Sequence, residues 1–271
     1  MHIRPLHPHL GAEILDFDPL APTPPDQIEA LVDAFDHYQL LLVRGARAIP
    51  PERQVEIAGW FGQVVSNSDS GALWSVLRNE EAAGSIRLPF HSDFSYTDFP
   101  IKGISLHALD VPDGGSATAF ASGIHAWETL SPDVQARCAP LTLRHLYESM
   151  IDTKWPRLAA DHPLRLIHPR TGRPILYLTE LHAERLLQLP REESDALIAE
   201  LTAHLYAPDH IYTHRWQRHD LLIWDNLAVQ HARPERAAPE EGRRALQRVA
   251  LNDLGLPEIL DRVRKRETET A

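Results

Sequence analysis

A single cysteine, Cys138, stands among 271 residues, so no internal disulfide can form and packing has to hold the chain together. Cys138 follows a helix-opening Ser131-Pro132 pair and has the context of a packed residue rather than a catalytic thiol. No window approaches the roughly 18 consecutive apolar residues that a membrane-spanning helix needs. The start, Met1 to Pro8, lacks an apolar core of signal-peptide length. The expectation is a cytoplasmic protein with no membrane partner. Positive charge is scarce, with 27 Lys and Arg against 38 Asp and Glu for a formal net charge of −11. That balance speaks against nucleic acid, whose binding rests on basic patches that release counterions. Repeats and low-complexity tracts are missing too. A hydrophobic share of 43% is nevertheless enough for a sizeable core, and the length suits one β-rich domain spanning residues 1–271.

The pattern along the chain is mainly β with flanking helices. Pro19 to Pro25 reads as a loop, Asp26 to Phe35 has apolar residues at helical spacing, and Leu40-Leu41-Leu42-Val43 reads as a strand. Pro51 opens a second helix toward Trp60, and Ser131 caps a helix with Pro132 at its first position. Ile104 to Leu109 alternates as a strand. Leu164 to Leu178 forms a hairpin around Pro169-Arg170-Thr171-Gly172-Arg173, and Arg191 to Leu205 is an amphipathic helix. Ile211 to Val229 supplies two strands joined at Gln217-Arg218-His219-Asp220. The absence of a βαβ rhythm argues against a doubly wound parallel sheet.

The chemistry concentrates in Phe90-His91-Ser92-Asp93-Phe94 and, far downstream, in Trp224-Asp225-Asn226-Leu227-Ala228-Val229-Gln230-His231. In an extended segment His91 and Asp93 project to the same side, and His231 can close a three-point metal site from a distant strand. Two imidazoles and one carboxylate leave three coordination positions open, which is the ligand set of non-heme Fe(II) oxygenases. A lone His-x-Asp is weak evidence in a chain with 16 histidines, so its neighbours decide the reading. His2, His7 and His9 sit in an N-terminus that reads as mobile. His107 reads as a packed strand residue, and His204, His210, His214 and His219 lack an acidic ligand at matching spacing. Trp216 and Trp224 read as core aromatics, and Phe94 and Tyr96 as walls of a substrate pocket.

Further on, Arg244 and Arg248 share one face of the apolar segment Ala245 to Leu251 with Leu246, while Ala245, Val249 and Leu251 take the other. An arginine keeps its charge, and its planar fork fits a carboxylate, so the pair suits one or two acidic small molecules. The alternatives are a solvated edge face or, for Arg248, an internal salt bridge to Asp220 or Asp225.

These segments together resemble the taurine/2,4-dichlorophenoxyacetate (TauD/TfdA-like) group of Fe(II)/2-oxoglutarate-dependent dioxygenases. The resemblance runs in order through Leu42-Val43-Arg44-Gly45, Trp60-Phe61-Gly62, the His91/Asp93 motif, Gly114 to Ser122, His168 to Arg173, His214-Arg215-Trp216, Asp220 to Asn226, His231 and the arginines. It implies a double-stranded β-helix, a jelly roll of the cupin-like type. It also implies that His91, Asp93 and His231 hold Fe(II), that Arg244 takes the distal carboxylate of 2-oxoglutarate with help from Thr118, and that Arg248 faces an acidic substrate. Dioxygen and 2-oxoglutarate would be consumed, succinate and CO2 released, and a small anionic substrate hydroxylated or otherwise oxidised. Asn67, Phe94 and Tyr96 are assigned to the substrate pocket with Arg248.

The chain departs from these relatives in three places. Two residues separate Gly115 from Thr118 instead of one. Gln63 to Ser68 lacks the histidine that contacts sulfonate in the taurine enzymes, which argues against taurine itself. The interval from Arg144 to His168 is short for a lid and suggests a more open pocket. A non-redox metal hydrolase or lyase on a cupin-like barrel, or a binding protein without turnover, are the competing readings. Homo-oligomerisation is left open.

Overall fold

The structure, a computed structural model, describes residues 1–45, 47–66, 71–80, 86–112, 116–147, 157–234 and 242–270. Among the described residues the strands are β1 (Ile3–Pro5), β2 (Ala12–Ile14), β3 (Leu40–Val43), β4 (Val64–Val65), β5 (Ser75–Arg78), β6 (Leu88–His91), β7 (Gly103–Asp110), β8 (Ala117–Ser122), β9 (Thr142–Tyr147), β10 (Leu158–Pro163), β11 (Arg165–Ile167), β12 (Pro174–Leu176), β13 (Ala183–Leu186), β14 (Ile211–Arg215), β15 (Leu221–Asp225), β16 (Val229–Arg233) and β17 (Ala245–Leu251). The helices are α1 (Pro25–Tyr38), α2 (Pro51–Gly59), α3 (Gly123–Thr129), α4 (Pro132–Cys138), α5 (Arg191–Leu205) and α6 (Leu256–Thr270).

A strand that is apolar at every position is stable only where both faces of its sheet are covered. That is the setting of β3, and of β15 up to its last residue, Asp225; the two are neighbours in a sheet ordered β1-β2-β3-β15-β7-β17-β4, with β5 also paired to β17. On its inner face Leu42, Ile104, Leu106, Leu222, Trp224 and Leu246 meet Phe120 and Val229 from a second sheet ordered β14-β8-β16-β6. On its outer face Leu41, Val43, Leu221, Ile223, Val249 and Leu251 pack against Leu31, Phe35, Ile57 and Phe61 of the first two helices and the turn that follows. Two facing sheets with helices outside form the expected jelly roll. Each fully buried aliphatic side chain in these layers contributes roughly 1.5–3 kcal/mol. The fold therefore rests on the layers rather than on the polar site between the sheets.

The helix α1 shows how local chemistry sets a boundary. Pro25 opens it, Leu31, Ala34 and Phe35 bury one face, and Gln39 ends it in the left-handed region at φ 64°. That conformation is unusual for a residue with a side chain. It is offset here because the Gln39 N–H donates to the Phe35 carbonyl at 2.7 Å and its Oε1 accepts from the Ser122 hydroxyl at 2.6 Å.

One expectation needs correction, and two are filled in. The N-terminus is an ordered edge: β1 pairs β2 with Ile3 opposite Ile14, Leu10 is buried in the core, and the His9 ring stacks on His125 at 3.8 Å. The two strands expected between Ile211 and Val229 are present as β14 and β15, and they lie in different sheets, β14 pairing β8 in the smaller and β15 pairing β3 and β7 in the larger. The turn at Gln217 to Asp220 thus carries the chain from one sheet to the other. Arg144 lies within β9, which pairs with β10 on one side and β13 on the other. Trp155 and Pro156 lie outside the described residues.

Candidate active site

His91 ends β6 and His231 lies on β16, and the register of these antiparallel neighbours sets the two histidines directly opposite each other, with ring centroids 4.2 Å apart. Asp93 reaches them differently from the expected strand periodicity. The strand stops at His91, and a turn through Ser92 and Phe94, the latter at φ 61°, brings the carboxylate round. Asn226 makes this turn possible. Its amide nitrogen donates to the Ser92 hydroxyl at 3.1 Å, the Asp93 carbonyl at 3.3 Å and the Ile101 carbonyl at 2.8 Å, and its Oδ1 accepts from the Asp93 N–H at 3.3 Å. The neighbouring Asp225 accepts from the Leu227 and Ala228 N–H groups, both at 3.0 Å, and so shapes the approach to β16 and His231.

His91, Asp93 and His231 each offer a ligand atom, and these atoms all lie within 4.8 Å of one another, the one such group among the described residues. Asp93 Oδ1 is 3.3 Å from His91 Nε2 and 3.8 Å from His231 Nε2. The His91 Nδ1 lies 2.9 Å from the Pro89 carbonyl, which sets that nitrogen as the N–H and leaves Nε2 free to ligate. Burial, followed by the neighbouring His91, pushes the His231 pKa down to about 3, so its imidazole is neutral. For Asp93, burial alone would raise the pKa. Its 3.3 Å polar contact with His91, then the Arg248 guanidinium, overcome it and hold the carboxyl well below the ordinary range. Two imidazole Nε2 atoms gathered round one carboxylate oxygen are the donor set that a divalent metal requires, so the residues present fit Fe(II).

The triad opens on a cavity of about 710 Å³ that also borders Phe94, Tyr96, Thr118, Arg244 and Arg248. Arg244 is buried. Its Nε donates to the Ser116 hydroxyl at 2.9 Å, and its Nη1 has no hydrogen-bond partner among the described residues. Burial, then the nearby Arg233, pushes its pKa down to about 9, which leaves it a cation at neutral pH. A buried cationic nitrogen of this kind costs free energy until an anion meets it. Thr118 accepts from the Trp216 indole N–H at 2.9 Å, so Trp216, buried as expected, also orients a cavity residue. Trp224 is buried too, and its ring packs edge-on against His231 at 5.0 Å.

Arg248 is paired, but not with Asp220 or Asp225. Its Nη2 donates to Asp93 Oδ2 at 2.7 Å. Asp220 is held by Arg44 Nη1 at 2.7 Å and faces His214 Nε2 at 3.0 Å, while Asp225 meets His168 Nε2 at 2.6 Å. Both aspartates are thus committed elsewhere. Asn67 lies outside the described residues.

Sequence reasoning missed Arg233, His182 and Tyr147, all on the cavity wall. Arg233 follows His231 by two positions on β16, so the same-face rule already placed it inward. His182 and Tyr147 carried no such signal. They arrive because β9 and the segment before β13 fold over the mouth, where Tyr96 stacks on Tyr147 at 4.5 Å and meets His182 edge-on at 4.9 Å.

Residues 2–250 match the family described as taurine catabolism dioxygenase TauD, TfdA family. The (S)-phenoxypropionate/alpha-ketoglutarate-dioxygenase of Sphingobium herbicidovorans is 30% identical over 216 residues, covering 70% of this chain and 75% of that one. Pentalenolactone F synthase of Streptomyces arenae is 28% identical over 260 residues, covering 83% and 87%. A solved structure of AAD-2 in complex with Mn(II) and N-oxalylglycine superposes with a TM-score of 0.78 at 25% identity, covering 93% of this chain and 98% of that one. The family match over nearly the whole chain and the alpha-ketoglutarate-dependent relatives lead to one conclusion: the chain belongs to the TauD/TfdA family and is an Fe(II)/2-oxoglutarate-dependent dioxygenase.

Proposed function

We propose that this dioxygenase oxidises a small organic acid, with 2-oxoglutarate held by Arg244 and Thr118 and the substrate lying against Phe94, Tyr96 and Arg248. The observation that carries the reading is the Arg244 guanidinium, a buried cation beside the triad whose Nη1 lacks a partner among the described residues. Its fork suits the far carboxylate of a dicarboxylate whose other end reaches the metal. Iron bound at the triad supplies the activation of dioxygen, coupled to conversion of 2-oxoglutarate to succinate and CO2. The chain's own share is placement: which C–H bond the cavity wall presents to the metal decides the product.

Acidity of the substrate is supported by the cationic wall and by relatives that act on phenoxypropionate and 2,4-dichlorophenoxyacetate. Phe94, Tyr96 and Tyr147, stacked in series at 5.7 and 4.5 Å, offer the apolar body of such an acid an aromatic surface. We place the protein in the cytoplasm, as one domain. The test is an anaerobic mixture of protein, Fe(II) and 2-oxoglutarate, which should develop a weak visible charge-transfer absorption and lose it with succinate formation in air. Carboxylic acids, amino acids and sulfonates should then stimulate 2-oxoglutarate consumption more than their amides or esters. Stimulation confined to neutral or cationic compounds would refute the acidic substrate.

A further inference from the structure

Asp93 divides its two oxygens between different partners. Oδ1 faces the imidazoles at 3.3 and 3.8 Å, and Oδ2 accepts from Arg248 Nη2 at 2.7 Å. The backbone of Asp93 is already fixed: its N–H and carbonyl are both tied to the Asn226 amide, and its carbonyl also accepts from the Ile101 N–H at 3.1 Å. What remains free is rotation of the carboxylate about its own bonds. We propose that Arg248 is a positioning residue for Asp93, pinning Oδ2 so that the carboxylate offers the metal one oxygen and never two. This rests on the Fe(II)/2-oxoglutarate reading of the same site.

The physical case has three parts. Arg248 is itself held, being projected inward from β17, where its backbone pairs with Leu106 of β7 and Ser75 of β5. The ion pair is largely withdrawn from water, with side chains 13% and 22% exposed, so the charge-assisted hydrogen bond is little weakened by solvent. Turning Oδ2 toward the metal would break that bond and leave a guanidinium in the cavity wall without its counter-ion, which is costly. The consequence is a matter of counting. A two-His, one-carboxylate site has three open positions only while the carboxylate binds through a single oxygen. The 2-oxoacid end of the co-substrate would take two of them and leave one for dioxygen. A chelating Asp93 would fill it.

Nitric oxide, a stable surrogate for dioxygen, reads that last position directly. Anaerobic protein loaded with Fe(II) and 2-oxoglutarate is titrated with nitric oxide, following the spin-3/2 iron–nitrosyl signal per bound iron, while the visible charge-transfer band reports bound 2-oxoglutarate. Wild type and Arg248→Lys, which keeps a cation within reach of Oδ2, should both bind nitric oxide. Arg248→Leu should keep the charge-transfer band and bind nitric oxide roughly tenfold more weakly or worse, the scale of one charge-assisted hydrogen bond. Arg248→Gln, a neutral donor of similar length, should fall between and serves if the leucine variant does not fold. Nitric oxide affinity within twofold of wild type in a folded leucine or glutamine variant overturns the positioning role and leaves Arg248 as a substrate contact alone. A wild-type protein without the charge-transfer band overturns the parent reading of the site instead.

Discussion

Replacing Arg244 by alanine tests the assignment on which the co-substrate site depends. The backbone at this position should survive the change, because the Arg244 N–H donates to Asn79 Oδ1 at 2.9 Å and its carbonyl accepts from the Asn79 N–H at 3.2 Å. What is lost is the guanidinium, one of whose nitrogens is spent on Ser116 while Nη1 is free to meet a ligand among the described residues. Removing one partner of a buried charged pair costs on the order of 2–5 kcal/mol, most of it the penalty for the charge left behind. Arg233 stands close enough to depress the pKa of Arg244 and would soften that penalty, which places the expectation at the lower end. About 2 kcal/mol corresponds to roughly thirtyfold weaker binding of 2-oxoglutarate. The assay is an anaerobic titration of the Fe(II)-loaded variant with 2-oxoglutarate, monitored through the charge-transfer band, with Arg244→Lys expected between the two because it keeps the charge and loses the fork. A change of less than about threefold in the alanine variant would refute Arg244 as the carboxylate contact.

His91→Ala and His231→Ala should each abolish iron-dependent succinate release while melting as cooperatively as wild type, since the apolar layers between the sheets carry the fold; turnover surviving in either removes the triad from consideration. Because the carboxylate of Asp93 occupies the position that halide would need, product analysis in chloride buffer should find oxygenated and no chlorinated product. Asn226→Ala removes two N–H donors, shared among Ser92, Asp93 and Ile101, and the Oδ1 that accepts from the Asp93 N–H, and urea unfolding should show a loss of about 3 kcal/mol, at roughly 1 kcal/mol for each of these three groups; a loss below about 1 kcal/mol means that water replaces them. His107 is buried, and burial followed by His219 pushes its pKa down to about 4. The unfolded chain takes up its proton near pH 6.5 and the fold does not, so the contribution is complete above about 6.5 and drains away as pH falls toward 4, by about 3 kcal/mol in all. His107→Gln should flatten denaturation midpoints between pH 7 and 4.5, and an unaltered slope would show that His107 is protonated in the native state.

What the sequence determined by itself was local or periodic. Leu40 to Val43 and Leu221 to Trp224 declare strands covered on both faces, Ser131-Pro132 declares a helix start, and alternation along Ala245 to Leu251 sends Arg244 and Arg248 inward together. The donor types His91, Asp93 and His231 suit a metal of the Fe(II) class, because ligand identity is a property of side chains and not of their arrangement. Tertiary structure decided which distant groups meet. Arg248 had Asp220, Asp225 or a ligand as candidate partners, and it found Asp93, 155 residues earlier in the chain. Alternation gives a side chain a face but says nothing about what the facing sheet brings opposite. Asp93 reaches the histidines by a turn held on Asn226, and His182 and Tyr147 reach the cavity because β9 and β13 fold across its mouth. Such contacts depend on how two sheets register against each other through the buried layer of Leu42, Phe120 and Trp224, and that registration is a sum over many packed side chains that no short stretch of sequence contains.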